Sequence, residues 1–285
     1  MEIMEADLFG FCFGVNRAVD IVEEKLKEQE KIDTLGPIVH NPNVVEKLSK
    51  KGAEVVNSLE DVNTDSVIIT AHGAGREIHR KIKKKGLNLI DTTCPIVRTA
   101  QETAEDLVGK GYQVVIYGEN DHTEVRNILG WLNGKGVAIL DPEEEVVIKN
   151  GRVALLSQTT KGKKYFFNFV ARFLQNHSNE LEKVTIVDTT CGETRRRYEA
   201  AERLAKEVDI ILVVGGKNSA NTRKLAEVSA STGIETHHIK DETEINPDWF
   251  VGVDKVGVTA GASTPQSSVS SVEKVLQELD QSDKI

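Results

Sequence analysis

Short apolar runs at 66–70, 113–117, 152–156, 184–187, 209–214 and 256–259 alternate with longer stretches whose apolar positions recur every three or four residues. The short runs have the length and Val/Ile/Leu character of buried strands, and the longer ones have the period of helices with one apolar face. Such alternation from end to end predicts an α/β protein, with mostly parallel sheets covered by helices rather than a sandwich or a helix bundle. The first helix should begin after Gly14 and carry the stripe Val15, Ala18, Val22 and Leu26, with Glu and Lys on its other face. A second should open on Pro95, which suits a first helical turn, and bury Val97, Ala100, Ala104 and Leu107 before Gly109 and Gly111 end it. A third should follow Gly192, burying Tyr198, Ala201, Leu204 and Val208.

Each of these helices is preceded by a cysteine. Cys12 stands in GFCFGV, Cys94 in NLIDTTCPIV and Cys191 in TIVDTTCGET, and the two DTTC motifs lie 97 residues apart. The recurring unit is strand, cysteine, helix. It predicts three similar α/β domains at 1–95, 96–190 and 191–285, with Cys94 and Cys191 near the boundaries and a ligand at the shared interface beyond the strand ends. A thiol at a helix start faces the positive end of the helix dipole, which lowers its pKa and favours the anion. Three thiolates can hold three corners of an iron-sulfur cube and leave the fourth iron open, or bind zinc with one position vacant. Buried cysteines with no shared ligand are the plainer alternative.

Composition narrows the class. Three cysteines, an odd number, with no leader-like start point to a reducing, cytoplasmic setting. A net charge of -9 and 5% aromatic residues argue against a nucleic-acid partner, although Arg195, Arg196 and Arg197 could form a local anion contact. No apolar run is long enough for membrane insertion, and 281–285 reads as a frayed tail.

Further polar residues cluster in the same kind of loop. His40 lies in GPIVHNP, His72 in ITAHGAG and His122 in GENDHTEV; Ser219 and Asn221 lie in GGKNSANT, and Ser263 in TAGASTP. Hydroxyl, amide and imidazole donors between strand and helix can surround an anion, and together these loops point to a compact diphosphate pocket. No Walker motif is present. Glu124 is the leading proton donor, since a buried carboxyl can act as a general acid, and Thr159 in LLSQTTKGK can orient a hydroxyl beside it. Taken singly, each of these residues also reads as an ordinary helix cap or loop residue.

The ordered set GFCFGV, GPIVHNP, AHG, DTTCP, NDHTEV, SQTT, DTTC, GGKNSANT and AGASTP spans nearly the whole chain and resembles the LytB/IspH family of 4-hydroxy-3-methylbut-2-enyl diphosphate reductases. The resemblance implies a pseudo-threefold arrangement of three α/β domains around a 4Fe-4S cluster. Cys12, Cys94 and Cys191 would be its ligands, leaving an open apical iron for the hydroxyl of an allylic diphosphate. It implies reductive loss of that hydroxyl to give isopentenyl and dimethylallyl diphosphates, the last step of the non-mevalonate pathway, with electrons from reduced ferredoxin or flavodoxin. It assigns proton supply to Glu124, orientation to Thr159, a share in the proton path to His122, and diphosphate binding to His40, His72, His122, Ser219, Asn221 and Ser263. Thr123 stands where the family carries proline, Ala220 where it carries serine, and Tyr198 where many relatives have part of an Arg-Gln pair. The rival readings are an iron-dependent hydro-lyase and a noncatalytic metal-binding or redox-sensing protein.

Overall fold

The computed structural model describes residues 1–282. The chain opens with β1 (Glu2–Glu5) and α1 (Phe13–Glu28), then β2 (Ile32–Leu35), α2 (Pro42–Lys50), β3 (Ala53–Val56), β4 (Ser66–Ile69), α3 (Arg76–Lys85) and β5 (Asn88–Asp91). It continues through α4 (Pro95–Gly109), β6 (Gln113–Tyr117), α5 (Thr123–Leu129), β7 (Gly136–Ile139), β8 (Arg152–Ser157), α6 (Lys163–Asn176) and β9 (Lys183–Ile186). Last come α7 (Gly192–Leu204), β10 (Ile210–Val214), α8 (Ala220–Ala230), β11 (Glu235–Ile239), β12 (Lys255–Ala260) and α9 (Gln266–Ser282).

The strands form three four-stranded sheets, with orders β3-β2-β4-β5, β7-β6-β8-β9 and β11-β10-β12-β1, and every pairing is parallel. The α/β expectation holds, and the three sheets share one strand order. In the first two sheets the central pair is β2/β4 or β6/β8 and the chain leaves its two members in opposite directions; in the third, the pair β10/β12 is flanked by β11, which follows β10, and by β1, which comes from the start of the sequence. That reversal is a topological switch point, where adjacent loops diverge and leave a crevice at the carboxyl ends of the strands.

The first boundary departs from the sequence division. β1 pairs with β12, so the opening residues belong with the last sheet and not with 1–95. The chain divides into two compact units, one of Met1–Asn16, Val39–Lys47 and Gly192–Ile285, the other of Arg17–Ile38 and Leu48–Cys191. The second unit contains two of the three sheets. A strand reading EIME could not reveal this, because its place depends on a partner near the other end of the sequence.

Apart from β2, with Asp33 and Thr34, the central strands are largely apolar on both faces, as sheets covered by helices require. All five residues of β10 are buried, and Val213 packs with Leu225 of α8 and Leu204 of α7. Ile116 of β6 likewise packs with Ala104 of α4 and Val125 of α5. The predicted helix stripes are buried at Ala18, Val22, Ala100, Ala104, Leu107, Tyr198, Ala201 and Leu204. The first helix starts at Phe13, ahead of Gly14; Val208 is buried but lies beyond the end of α7. Gln281 and Ser282 belong to α9 rather than to a frayed tail, and 283–285 lie outside the described residues.

One pairing disfavours the fold at high pH. Burial and the carboxylate of Glu5 push the carboxyl of Glu273, on α9, up to about 7. A carboxyl with a raised pKa supports the native state while protonated and weakens it as pH rises through the folded value. Glu273→Gln should therefore raise the melting temperature at pH 8 and leave it nearly unchanged at pH 4, as measured by thermal denaturation at both values.

Candidate functional site

The three cysteines occupy equivalent places. Each follows an edge strand, β1, β5 or β9, and each donates its backbone N–H to a carbonyl two residues beyond the neighbouring strand: Cys12 to Ala262 (3.0 Å), Cys94 to Ala71 (3.0 Å) and Cys191 to Thr159 (2.7 Å). All three side chains are half-buried. The DTTC motifs explain part of this placement. Asp91 accepts from the backbone N–H and hydroxyl of Thr93, and Asp188 does the same for Thr190, closing a tight turn before each cysteine. The first threonine of each motif reaches across the sheet: Thr92 Oγ1 donates to Ile69 O at 2.6 Å, and Thr189 Oγ1 to Ser157 O at 2.5 Å.

Within the larger unit, the β6/β8 switch point joins four residues singled out from the sequence. Glu124, on the first turn of α5, is buried at 1% exposure and accepts from both the backbone N–H and the hydroxyl of Thr159, each at 2.7 Å. Cys191 hangs from the same residue through the carbonyl of Thr159. Burial pushes the Glu124 carboxyl up, and the two Thr159 hydrogen bonds and the Lys161 charge offset this only in part. A hydroxyl can donate to a carboxylate or accept from a carboxylic acid, so Thr159 can accompany either protonation state. His122 caps α5: its Nδ1 accepts from Glu124 N at 3.2 Å, which leaves Nε2 to carry the ring proton. The His122 ring meets His72 edge-on with centroids 5.9 Å apart.

In the smaller unit, the β10/β12 switch point carries Ser219, Asn221 and Ser263. Ser219 caps α8 by accepting from Thr222 N at 3.3 Å. Asn221 and Ser263 are each 7% exposed, yet both amide atoms of Asn221 and the hydroxyl of Ser263 lack a hydrogen-bond partner among the described residues. Buried polar atoms are rarely left so, and several in facing loops mark a place built for a polar ligand. Gly261 permits the close approach of these loops, since a Cβ there would fall 2.0 Å from Thr222 Oγ1. His40 belongs to this unit as well: its carbonyl lies 2.9 Å from where a Cβ on Gly216 would stand, in the loop that leads to Ser219. Burial and then the Arg223 charge lower the pKa of His40, which makes it a neutral donor at pH 7.

The arginine run does not form an anion patch. Arg197 is 1% exposed and donates to Ala260 O, while Arg195 and Arg196 pair with Glu199 and Glu193 of their own helix. Thr123 is the first residue of α5, Ala220 the first of α8, and Tyr198 is core. Gln158 went unremarked in the sequence. It is fully buried, accepts from Glu119 N at 3.1 Å and donates to Thr160 Oγ1 at 2.8 Å, tying the loop after β6 to the loop after β8. Its place inside SQTT was the available signal.

A family model described as LytB protein matches residues 3–277. The chain belongs to the LytB family. A LytB-family relative from Dehalococcoides mccartyi, named 4-hydroxy-3-methylbut-2-enyl diphosphate reductase, is 40% identical over 281 residues, covering 98% of this chain and 99% of its own. One of the same name from Aquifex aeolicus is 40% identical over 285 residues, covering 98% and 97%. A solved structure of (E)-4-hydroxy-3-methyl-but-2-enyl diphosphate reductase, described as the terminal enzyme of the non-mevalonate pathway, aligns with a TM-score of 0.72 at 39% identity, covering 98% of this chain and 100% of that one. The E-1-hydroxy-2-methyl-but-2-enyl-4-diphosphate reductase of Plasmodium falciparum aligns with a TM-score of 0.90 at 25% identity, covering 97% and 88%. The LytB-family match therefore runs the length of the fold, switch-point loops included.

Proposed function

We propose that the chain performs the reaction for which its relatives are named, the reductive dehydroxylation of 4-hydroxy-3-methylbut-2-enyl diphosphate to isopentenyl and dimethylallyl diphosphates. The observation that carries this reading is the buried Glu124–Thr159 pair, joined through the Thr159 carbonyl to Cys191. It sets a proton source one residue away from a thiol.

Cys12, Cys94 and Cys191 would hold the 4Fe-4S cluster. Their donor chemistry fits, being three half-buried thiols on three equivalent, backbone-anchored loops. Among the described residues no three His, Cys, Asp or Glu side chains gather around a single-ion site, and a cube does not need them to, since each thiolate binds a different iron. When bound, such a cluster supplies two electrons, one at a time, and Lewis acidity toward the departing hydroxyl oxygen.

The chain's own residues do the rest. Glu124 delivers a proton, and Thr159 holds the carboxyl in place and follows its change of charge. His122 Nε2–H and His72 present donors to the diphosphate beside this pair. His40, Ser219, Asn221 and Ser263 bind the diphosphate, whose oxygens supply the acceptors that the Asn221 amide and Ser263 hydroxyl lack within the protein. Anchoring the charged end orients the allylic end before any bond is broken. Reduced ferredoxin or flavodoxin is the electron source this reading expects. No helix among the described residues is long and apolar enough to cross a membrane.

Anaerobic reconstitution followed by addition of 4-hydroxy-3-methylbut-2-enyl diphosphate tests the proposal: cluster oxidation should depend on substrate and yield both isoprenoid diphosphates. An intact cluster unreactive toward that substrate under several reductants would reject it. Asn221→Ala gives a second expectation. It removes a buried amide that makes no internal hydrogen bond, so the melting temperature of ligand-free protein should hold while KM rises about tenfold or more. Parallel melting curves and steady-state kinetics check it.

A further inference from the structure

Helix α5 does more than carry His122 and Glu124. Asn127 and Trp131 lie four residues apart, and both reach the backbone of the loop that holds His72. Asn127 Nδ2 donates to His72 O at 3.2 Å and to Gly73 O at 2.6 Å, and Trp131 Nε1 donates to Ala74 O at 2.8 Å. Three successive carbonyls are thus held by Asn127 of α5 and by Trp131 in the turn just after it. Gly73 has φ +74°, a left-handed conformation that turns the chain there and that other residues rarely adopt. The guanidinium groups of Arg76 (4.9 Å) and Arg98 (5.5 Å) lie over the Trp131 ring. Arg98 also pairs with Asp91, the first residue of the DTTC turn before Cys94.

We infer that Asn127, supported by Trp131, is a positioning residue that locks the His72 loop onto the helix bearing His122 and Glu124. This rests on the reductase reading above, in which His72 binds the diphosphate and Glu124 gives the proton. Ala71, Gly73, Ala74 and Gly75 of this loop are buried, so its carbonyls need partners inside the protein, and these two side chains supply them. The clamp keeps His72 in its diphosphate-binding place, while Glu124 is held separately by Thr159, so loss of the clamp weakens binding of the charged end and leaves the acid where it is. Its recognition element is a carboxamide that donates two hydrogen bonds, and the chemistry it serves is binding of a diphosphate through His72.

The reconstituted enzyme provides the test. Asn127→Ala should raise KM about tenfold while kcat changes less than about twofold, in line with loss of a half-buried donor pair. It should also weaken binding of inorganic diphosphate, followed by calorimetry, by a similar factor. Asn127→Asp, nearly equal in shape but unable to donate, should be at least as impaired. Trp131→Phe, which keeps the ring and removes one hydrogen bond, should show a smaller change in the same direction. In a His72→Ala background, Asn127→Ala should add almost nothing, because its effect passes through His72. Unchanged KM and diphosphate affinity in Asn127→Ala, or an undiminished effect in the His72→Ala background, would overturn the inference. If the wild type converts no allylic diphosphate but the variants lose diphosphate affinity in this pattern, the reductase reading falls and the clamp stands.

Discussion

Glu124→Gln is expected to keep an assembled cluster with an unaltered spectrum and to lose turnover by about 10²- to 10⁴-fold, the usual contribution of a positioned general acid. Glutamine preserves size and keeps one oxygen to accept from Thr159 N, but it has no proton to deliver. The pH profile should change with it. Burial raises the carboxyl pKa, so wild-type turnover should fall as pH rises through a folded value above that of a free carboxyl, a limb absent from the residual activity of the variant. Stability should move in the matching sense, because a buried carboxyl with a raised pKa weakens the native state as it ionises. Melting temperatures of the glutamine variant relative to wild type should therefore improve with increasing pH. Near-normal turnover in Glu124→Gln would remove Glu124 from the proton path.

Cys94→Ser should leave a folded protein that cannot retain a normal cluster. The hydrogen bond from Cys94 to Ala71 is made by backbone and does not depend on sulfur, and the Asp91–Thr93 turn lies before the substitution. Circular dichroism should match wild type while iron content and visible absorbance fall sharply. Cys12→Ser and Cys191→Ser should behave alike, because all three thiols sit at equivalent places in the three sheets. Unchanged iron content and spectrum in Cys94→Ser would reject it as a ligand.

How far the sequence could be read depended on where each strand satisfied its polar groups. β4, β6, β8, β10 and β12 are apolar throughout or nearly so and stood out; β9 was visible through Val184 and Ile186. β2 is just as central but reads IDTL, with Asp33 and Thr34 buried. Asp33 is tolerated there because Asn63 N and Thr64 N donate to its carboxylate at 2.6 and 2.9 Å, from a loop thirty residues downstream. No local pattern announces such a partner. β1, β3, β7 and β11 are edge strands, short or polar, with little to separate them from loops, and β5 is a polar edge strand as well.

The placement of the candidate residues was easier to read than the strands. They fall in loops after strands or in the first turn of the helix that follows, at the switch points and edge strands where parallel sheets leave room for ligands. Asn127 and Gln158 were hidden for the opposite reason. Their importance lies in which backbone groups they hold, and an asparagine on a helix or a glutamine beside threonines looks unremarkable until those carbonyls and amides have positions.

The pairing of β1 with β12 also bears on how the protein is made. Both sheets of the larger unit are built from contiguous stretches of chain and can close soon after synthesis. The third must wait, since Glu2 lies opposite Lys255, and pairing across so long a separation is slow. β1 must therefore wait for a partner made about 250 residues later, and Cys12, whose loop is anchored on Ala262, is the last of the three thiols to be fixed. Iron loading would then report that β12 and the loop after it are in place, and a nascent protein stalled before β12 could present only two of its three anchored sulfurs.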